Sequence, residues 1–131
     1  MKALDSTFII DFLRNNEKAI NKEAELQGEL LVTTTVNYFE ILLGILLMKE
    51  NKEKKQKVFD EFMERLEIFT LDINESKKAA AIAAQLIKSG KMTDEMDYLI
   101  SGILLARGCS TIVTNNAKHF KHVEGLTVET Y

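Results

Sequence analysis

Residues 2–14 read KALDSTFIIDFLR and join a short extended segment to a helix through one carboxylate. Lys2–Leu4 is predicted to be extended, and it ends at Asp5. Apolar side chains then recur at helical spacing, which predicts an amphipathic helix over Ser6–Asn15. The same order of strand and helix returns further along the chain, and this alternation decides the fold class.

The other segments continue the alternation. Strands are predicted at 30–34, 67–71, 111–114 and 126–129, and helices at 16–26, 36–49, from 52, from 73 to about 88 and from about 94 to 107. A loop or a short helix is expected over 115–120. Strands that alternate with helices imply crossover connections and a mainly parallel sheet. The length of 131 residues is typical of one compact domain, so we expect a single α/β domain over residues 1–131.

Three local signals predict details of the helices. Asp72 and Glu75 have the spacing of a capping box, which places a helix start near residue 73. Thr93 is predicted to cap the next helix, and Gly108 to follow its end. Gly44, within the predicted helix 36–49, costs about 1 kcal/mol relative to alanine. We therefore expect another backbone to approach closely at Gly44.

Composition limits the possible functions. The net charge of −3 excludes a globally cationic nucleic-acid binder, so a polyanionic substrate needs a local basic patch or a bound cation. The single cysteine, Cys109, cannot form an internal disulfide, which fits a reducing cytoplasm, and we expect it to be a buried thiol. Asp5 and Asp11 argue against a signal peptide. The apolar run 41–48, ILLGILLM, falls short of the ~20 residues that span a bilayer.

Acidic and amide side chains recur beside the predicted strands. Asp5 ends the first strand, Glu40 lies early in the helix after the second, Asp97 lies early in the helix before the fourth, and Asn116 follows the fourth. In a parallel sheet these positions can converge on one crevice at the carboxyl ends of the strands. Gathered carboxylates repel each other, and a divalent cation relieves that repulsion. Oxygen ligands without a Cys or His cluster favour Mg²⁺ or Mn²⁺ over Zn²⁺.

Each acid also has a structural explanation. Asp5 is a candidate N-cap of the first helix. Asp94 and Glu95 lie where acids complement the helix dipole. For Glu40 and Asp97, which are expected to be largely buried, the alternative is a buried salt bridge to a cation, with Arg14 and Lys118 as the candidates.

Four segments, in this order, carry a family resemblance: LDSTFIIDFLR (4–14), TTTVNYFEILLG (33–44), MDYLISGILLARG (96–108) and IVTNNAKHF (112–120). Together they resemble PIN-domain ribonucleases, specifically VapC-type toxins of bacterial or archaeal toxin–antitoxin pairs. The resemblance covers essentially the whole chain. It implies a PIN-like fold, a Rossmann-like three-layer α/β/α sandwich with a central sheet.

The resemblance also implies a site and partners. Asp5, Glu40 and Asp97 would hold Mg²⁺ or Mn²⁺, with Asp94 as a possible further ligand. Asn116 matches the position that helps to hold metal or water, and the Thr114 hydroxyl would support Asp5 or that water. The implied activity is endonucleolytic cleavage of RNA, often tRNA or rRNA. A cognate antitoxin would block the site, and the protein would form a homodimer.

One position departs from the family pattern. His119 stands where the family often has Asp or Glu before the phenylalanine, which puts a second metal ion in doubt. Two interpretations of His119 remain: a contact to RNA phosphate, or a surface histidine without a special task. Lys118 and Lys121 (with His122 nearby) could supply positive charge for the RNA backbone or be ordinary solvated side chains.

The hypothesis is metal-assisted phosphodiester hydrolysis, with Glu40 binding the ion directly or through water and accepting a proton from the attacking water. The alternative is a PIN-like binding module that pairs with an antitoxin-like partner or RNA without turnover. A phosphatase is disfavoured, because no nucleophilic histidine or phosphate-cradling glycine-rich loop is visible. Phe12, Ile20 and Leu26 are candidates for an antitoxin groove, a dimer face or plain core.

Overall fold

All 131 residues are described by the structure, a computed structural model, and they form five strands and seven helices. In chain order these are β1 (Lys2–Leu4), α1 (Ser6–Leu13), α2 (Glu17–Glu25), β2 (Leu31–Thr34), α3 (Thr35–Leu46), α4 (Lys52–Met63), β3 (Glu67–Phe69), α5 (Ile73–Lys88), α6 (Glu95–Ala106), β4 (Thr111–Val113), α7 (Ala117–Phe120) and β5 (Thr127–Glu129). Each predicted element is present, and most end one to three residues inside the predicted bounds.

The five strands form one sheet in the order β3-β2-β1-β4-β5, and every pairing is parallel. The predicted α/β architecture with a mainly parallel sheet is therefore confirmed. β1 lies in the centre, between β2 and β4. The order of the strands reverses at β1, and in such sheets ligands bind outside the carboxyl ends of the strands at this reversal.

Helices cover both faces of the sheet. Successive residues of a strand point to opposite faces. Thus Ala3 and Ile112 join one buried cluster with α5 and α6, whereas Leu4 and Val113 join the other with α1 to α4. The result is the predicted three-layer sandwich, with the carboxyl ends of β1, β2 and β4 left between the helix layers.

The close backbone approach is at a different glycine from the one predicted. A Cβ added at Gly44 would meet nothing within 4 Å, so the expectation for Gly44 is wrong. At Gly102 in α6 an added Cβ would lie 2.5 Å from the Ala79 backbone of α5. The alanine-rich α5 and this glycine let the two helices pack closely, because neither helix places a long side chain at the crossing.

Two helix starts differ from prediction. Asp72 caps α5 through its own carboxylate, which accepts from the Ile73 amide at 2.8 Å. Glu75 does not complete a capping box; it is buried and lies 3.9 Å from Arg107 in an ion pair. The residue at the N-cap position of α6 is Asp94 rather than the predicted Thr93.

The remaining predictions concern the burial of Cys109 and of three apolar side chains. Cys109 is a free, fully buried thiol, as predicted. Of the three apolar candidates for a docking face, Leu26 belongs to the core, Phe12 is partly buried and Ile20 is exposed. No helix is both long and apolar enough to span a bilayer.

Candidate active site

The candidate site lies at the carboxyl edge of the sheet, where the strand order reverses. Asp5 follows β1 directly, and Thr114 follows β4. Because β1 and β4 are hydrogen-bonded neighbours with Leu4 opposite Val113, the next residues of the two strands meet. The Thr114 hydroxyl donates to Asp5 Oδ2 at 2.6 Å, so the predicted support of Asp5 by Thr114 is present as a direct contact.

Asp5 is held by donors on both of its carboxylate oxygens and is only 5% exposed. The Asn37 amide donates to Oδ1 at 3.1 Å, and the Thr7 hydroxyl lies 3.4 Å from Oδ2. Asn37 is itself oriented by Thr34, whose hydroxyl donates to its Oδ1 at 2.7 Å. Asp5 occupies the N-cap position of α1, but its side chain makes no capping bond. The carboxylate is therefore directed into the crevice rather than used to start the helix.

The two other predicted acids come from helices on opposite sides of the crevice. Glu40, on α3, is half-buried and accepts a hydrogen bond from the Ser6 hydroxyl at 3.0 Å. Asp97, on α6, is 9% exposed, and its Oδ2 accepts from the Thr93 hydroxyl at 2.9 Å. Neither acid forms a salt bridge with Arg14 or Lys118, so the alternative of a buried ion pair to these cations is not observed.

The charges of these acids act on one another. Burial is the largest cause that raises the pKa of Asp5, and the charge of Asp97 raises this pKa further. Burial also leads in raising the pKa of Glu40, with added repulsion from Asp5, Asp97 and Asp94. The four carboxylates therefore lie close enough for their charges to interact. A cation bound there would remove the repulsion that the protein leaves uncompensated.

Asp94, Asp97 and His119 form a tight cluster at one side of this crevice. Their ligand atoms all lie within 4.8 Å of one another, and His119 Nδ1 is 2.9 Å from Asp97 Oδ2. His119 is only partly exposed. Its direct contact with Asp97 is a role that neither predicted interpretation of this residue included. Thr93, predicted to be a helix cap, instead contributes its hydroxyl to Asp97.

The other predicted site residues lie around the same opening. The Asn116 amide N–H donates to Thr114 Oγ1 at 3.0 Å, which fixes the backbone beside Asp5. The exposed Lys118 and Lys121 line a cleft of about 580 Å³ together with Asp94 and His119. Lys91 and His122 line it as well. The cleft therefore places positive charge next to the carboxylates.

Sequence reasoning missed Asn37. It is 1% exposed, and its amide donates to both Asp5 and, at 3.0 Å, the Ser6 hydroxyl. A signal for it exists in the sequence: Asn37 precedes Glu40 by three residues, so the two share a helix face. A second signal is its position in the first turn of an apolar helix, where a buried amide needs hydrogen-bond partners.

The sequence profile of the PIN domain matches residues 2–126. The chain belongs to the PIN-domain family. A curated relative, the tRNA(fMet)-specific endonuclease VapC of Shigella flexneri, is 25% identical over 126 residues, which are 96% of this chain and 94% of the relative. Ribonuclease VapC2 of Rickettsia felis is 27% identical over 111 residues, 85% of this chain and 81% of the relative.

Solved structures show the same fold. A chain in the crystal structure of VapBC2 from Rickettsia felis, bound to a DNA fragment from their promoter, superimposes with a TM-score of 0.88 at 23% identity and covers 99% of this PIN domain and 98% of that chain. A chain of FitAB bound to the IR36 DNA fragment gives a TM-score of 0.89 at 19% identity, covering 99% of this domain and 94% of that chain. The predicted PIN-like fold and the predicted resemblance to VapC-type ribonucleases of toxin–antitoxin pairs are both confirmed.

Proposed function

We propose that this PIN-domain protein is a metal-dependent endoribonuclease and that Asp5, Glu40 and Asp97 hold Mg²⁺ or Mn²⁺ in the crevice. The observation that carries the proposal is the convergence of these carboxylates without a basic residue to neutralise Asp5 or Glu40. Oxygen donors of this kind suit hard divalent ions. The family resemblance and the named activities of the relatives support the same chemistry.

The residues have distinct tasks in this proposal. A bound ion supplies charge neutralisation for a phosphate and lowers the pKa of a water ligand. Asp5, fixed by donors on both oxygens, provides a rigid anionic anchor. Glu40 is more accessible than Asp5, and its raised pKa suits it to accept a proton from the attacking water. Asn116, on the rim beside Thr114, orients water or the ion through its side-chain amide.

RNA is the proposed substrate because the edge of the crevice is locally basic in a protein whose net charge is −3. Lys118 and Lys121 line the cleft beside Asp94 and can bind successive phosphates. Since one relative bears the name of a tRNA(fMet)-specific endonuclease, we propose a structured RNA of the tRNA class as the first substrate to test.

The test compares cleavage of a folded tRNA pool by wild type, Asp5→Asn, Asp97→Asn and Glu95→Gln in the presence of Mg²⁺ or Mn²⁺. Glu95 is the matched control, because it is an exposed acid in the same first turn of α6 as Asp97. We expect both Asn variants to lose cleavage by at least about a hundredfold with unchanged circular dichroism, and Glu95→Gln to retain it. Equal cleavage by Asp97→Asn and wild type would overturn the assignment.

The alternative is a binding module without turnover. It is supported by His119, which stands where the family often has an acidic residue. The same experiment separates the two functions. If wild type binds Mn²⁺ and RNA but leaves the whole pool intact with either ion, the binding module is correct and the nuclease is not.

A cognate antitoxin and a homodimer complete the proposal. The structural relatives are VapBC and FitAB complexes. In this chain an apolar groove of about 380 Å³ between α1, α3 and α4 is rimmed by Arg14, Lys54 and Lys55. Ile41 lines the groove and directly follows Glu40, so the groove and the crevice lie along the same helix, α3. The exposed Phe39 and Leu43 on α3, with the exposed Leu47 just after it, offer apolar area for a second copy. Light scattering of the chain, alone and with the product of a neighbouring gene, tests both partners.

The buried free thiol of Cys109 agrees with the reducing cytoplasm as the proposed location.

A further inference from the structure

The geometry points to a mixed nitrogen and oxygen cation site formed by Asp94, Asp97 and His119, in which the His119 imidazole binds a transition-metal ion such as Mn²⁺ directly. This inference rests on the proposed function, because Asp97 is a ligand in both proposed sites. Its new element is a nitrogen ligand in a crevice that is otherwise lined by oxygen.

The spacing of the donor atoms fits a coordination shell. His119 Nδ1 and Asp97 Oδ2 are 2.9 Å apart, and all three ligand atoms lie within 4.8 Å of one another. Adjacent ligands about 2.1 Å from an ion are separated by roughly 3.0–3.4 Å. An ion can therefore take the place of the contact between His119 and Asp97 with a small movement of either side chain.

A second observation is that each of the two acids has a carboxylate oxygen without a protein partner. Asp94 has the extended backbone of an N-cap, φ −69° and ψ 150°, yet its carboxylate makes no capping bond. The N-caps Asn16, Thr34 and Asp72 use their side chains for this purpose, whereas Asp5 and Asn51, like the exposed Asp94, do not. Asp97 is 9% exposed, and both of its protein donors act on Oδ2, so Oδ1 is free to bind an ion. Oδ1 keeps some contact with solvent, so an ion can approach it.

The identity of the donors determines the kind of ion. Mg²⁺ prefers oxygen ligands, whereas imidazole nitrogen favours transition metals over Mg²⁺. Asp94 and His119 also line the 580 Å³ cleft, so an ion reaches them from solvent. The site is therefore accessible, and we expect it to discriminate between Mn²⁺ and Mg²⁺.

The competing role for His119 is to position Asp97 by hydrogen bonding without touching the ion. Pulsed electron paramagnetic resonance of the Mn²⁺-loaded full chain separates the two roles, because only a coordinated imidazole gives strong ¹⁴N coupling. We expect this coupling in wild type, its loss in His119→Gln and its retention in His122→Gln. His122 lines the same cleft but lies outside the cluster, which makes it the matched control.

Calorimetric titrations of Mn²⁺ and Mg²⁺ provide the second readout. We expect His119→Gln to weaken Mn²⁺ binding by about tenfold and Mg²⁺ binding by less than about twofold. His119→Glu, which restores a carboxylate, should reduce the preference for Mn²⁺ and show no ¹⁴N coupling. Wild type without ¹⁴N coupling, or His119→Gln that keeps it, would overturn the inference.

The outcome is distinguishable from that of the proposed function. Coupling of His119 to Mn²⁺ in a chain that cleaves no RNA would support this site and refute the nuclease. RNA cleavage by a wild-type chain that lacks the coupling would support the nuclease and refute the site.

Discussion

Replacing Asn37 with alanine tests the structural account of the crevice most directly, because Asn37 touches no proposed ion and yet holds a proposed ligand. Its amide donates to Asp5 Oδ1 at 3.1 Å and to the Ser6 hydroxyl at 3.0 Å. Ser6 in turn donates to Glu40 at 3.0 Å. One side chain therefore orders two of the three proposed ligands.

The expected magnitude follows from the charged hydrogen bond. A hydrogen bond to a charged group contributes about 1.5–3 kcal/mol, and 1.4 kcal/mol is a tenfold change in an equilibrium constant. Asn37→Ala should therefore weaken Mn²⁺ or Mg²⁺ binding by about 10- to 100-fold, the range expected for a residue that orients a metal ligand. Loss of this donor also raises the pKa of Asp5 further, since the Asn37 bond favours the charged form. The deficit should consequently grow as the pH falls.

The mutation also leaves the buried Thr34 hydroxyl without the acceptor that it has at 2.7 Å. We expect the free energy of unfolding to fall by about 1–3 kcal/mol, measured by urea denaturation. Asn115→Ala is the control, because Asn115 is an exposed amide next to Thr114 whose side chain makes no hydrogen bond. Metal affinity of folded Asn37→Ala within twofold of the control would refute the reasoning.

Three further predictions follow from the charges and the helix packing. Metal binding and RNA cleavage should be lost on acidification at a pH above the ordinary pKa range of a carboxyl, because burial raises the pKa values of Asp5 and Glu40 and both must ionise. Calorimetry at fixed ion concentration between pH 4 and 8 checks this, and a loss of binding only near pH 4 contradicts it. Since a raised folded-state pKa removes stability as the pH rises above the unfolded value, the urea midpoint of metal-free wild type should fall more between pH 4 and 8 than that of Asp5→Asn, and an equal fall in the two would contradict the sign. Gly102→Ala should destabilise by about 1–3 kcal/mol through overlap with Ala79, whereas Gly44→Ala should stabilise by about 0.5–1 kcal/mol; equal effects of the two would show that the close approach is not rigid.

The fold and the main acids were predictable because their signals are local or periodic. The alternation of strands and helices predicts the parallel sheet. The rule that ligands bind at the carboxyl edge of such a sheet then predicts that Asp5, Glu40 and Asp97 lie near one another. Those three side chains, with Asp94, lie close enough for their charges to act on one another. Their roles as ligands stay predictions until an ion is measured.

Features that depend on long-range packing were not predictable in this way. Gly44 and Gly102 are both glycines inside apolar helices, and only the position of α5 shows which one another backbone approaches. His119 and Asn37 acquire their roles from partners 22 and 32 positions away in the chain. A single sequence holds no local pattern for such pairs, so His119 was expected either to meet phosphate or to be an ordinary surface residue.

The bond between Asp5 and Thr114 joins residues 109 positions apart. A ribosome makes Asp5 and Asn37 early, but β4, which Thr114 directly follows, pairs with β1 only after most of the chain has been translated. A nascent polypeptide therefore lacks the assembled crevice until β4 emerges. The proposed catalytic site is therefore among the last features of the domain to form, and its assembly depends on nearly the whole chain being made.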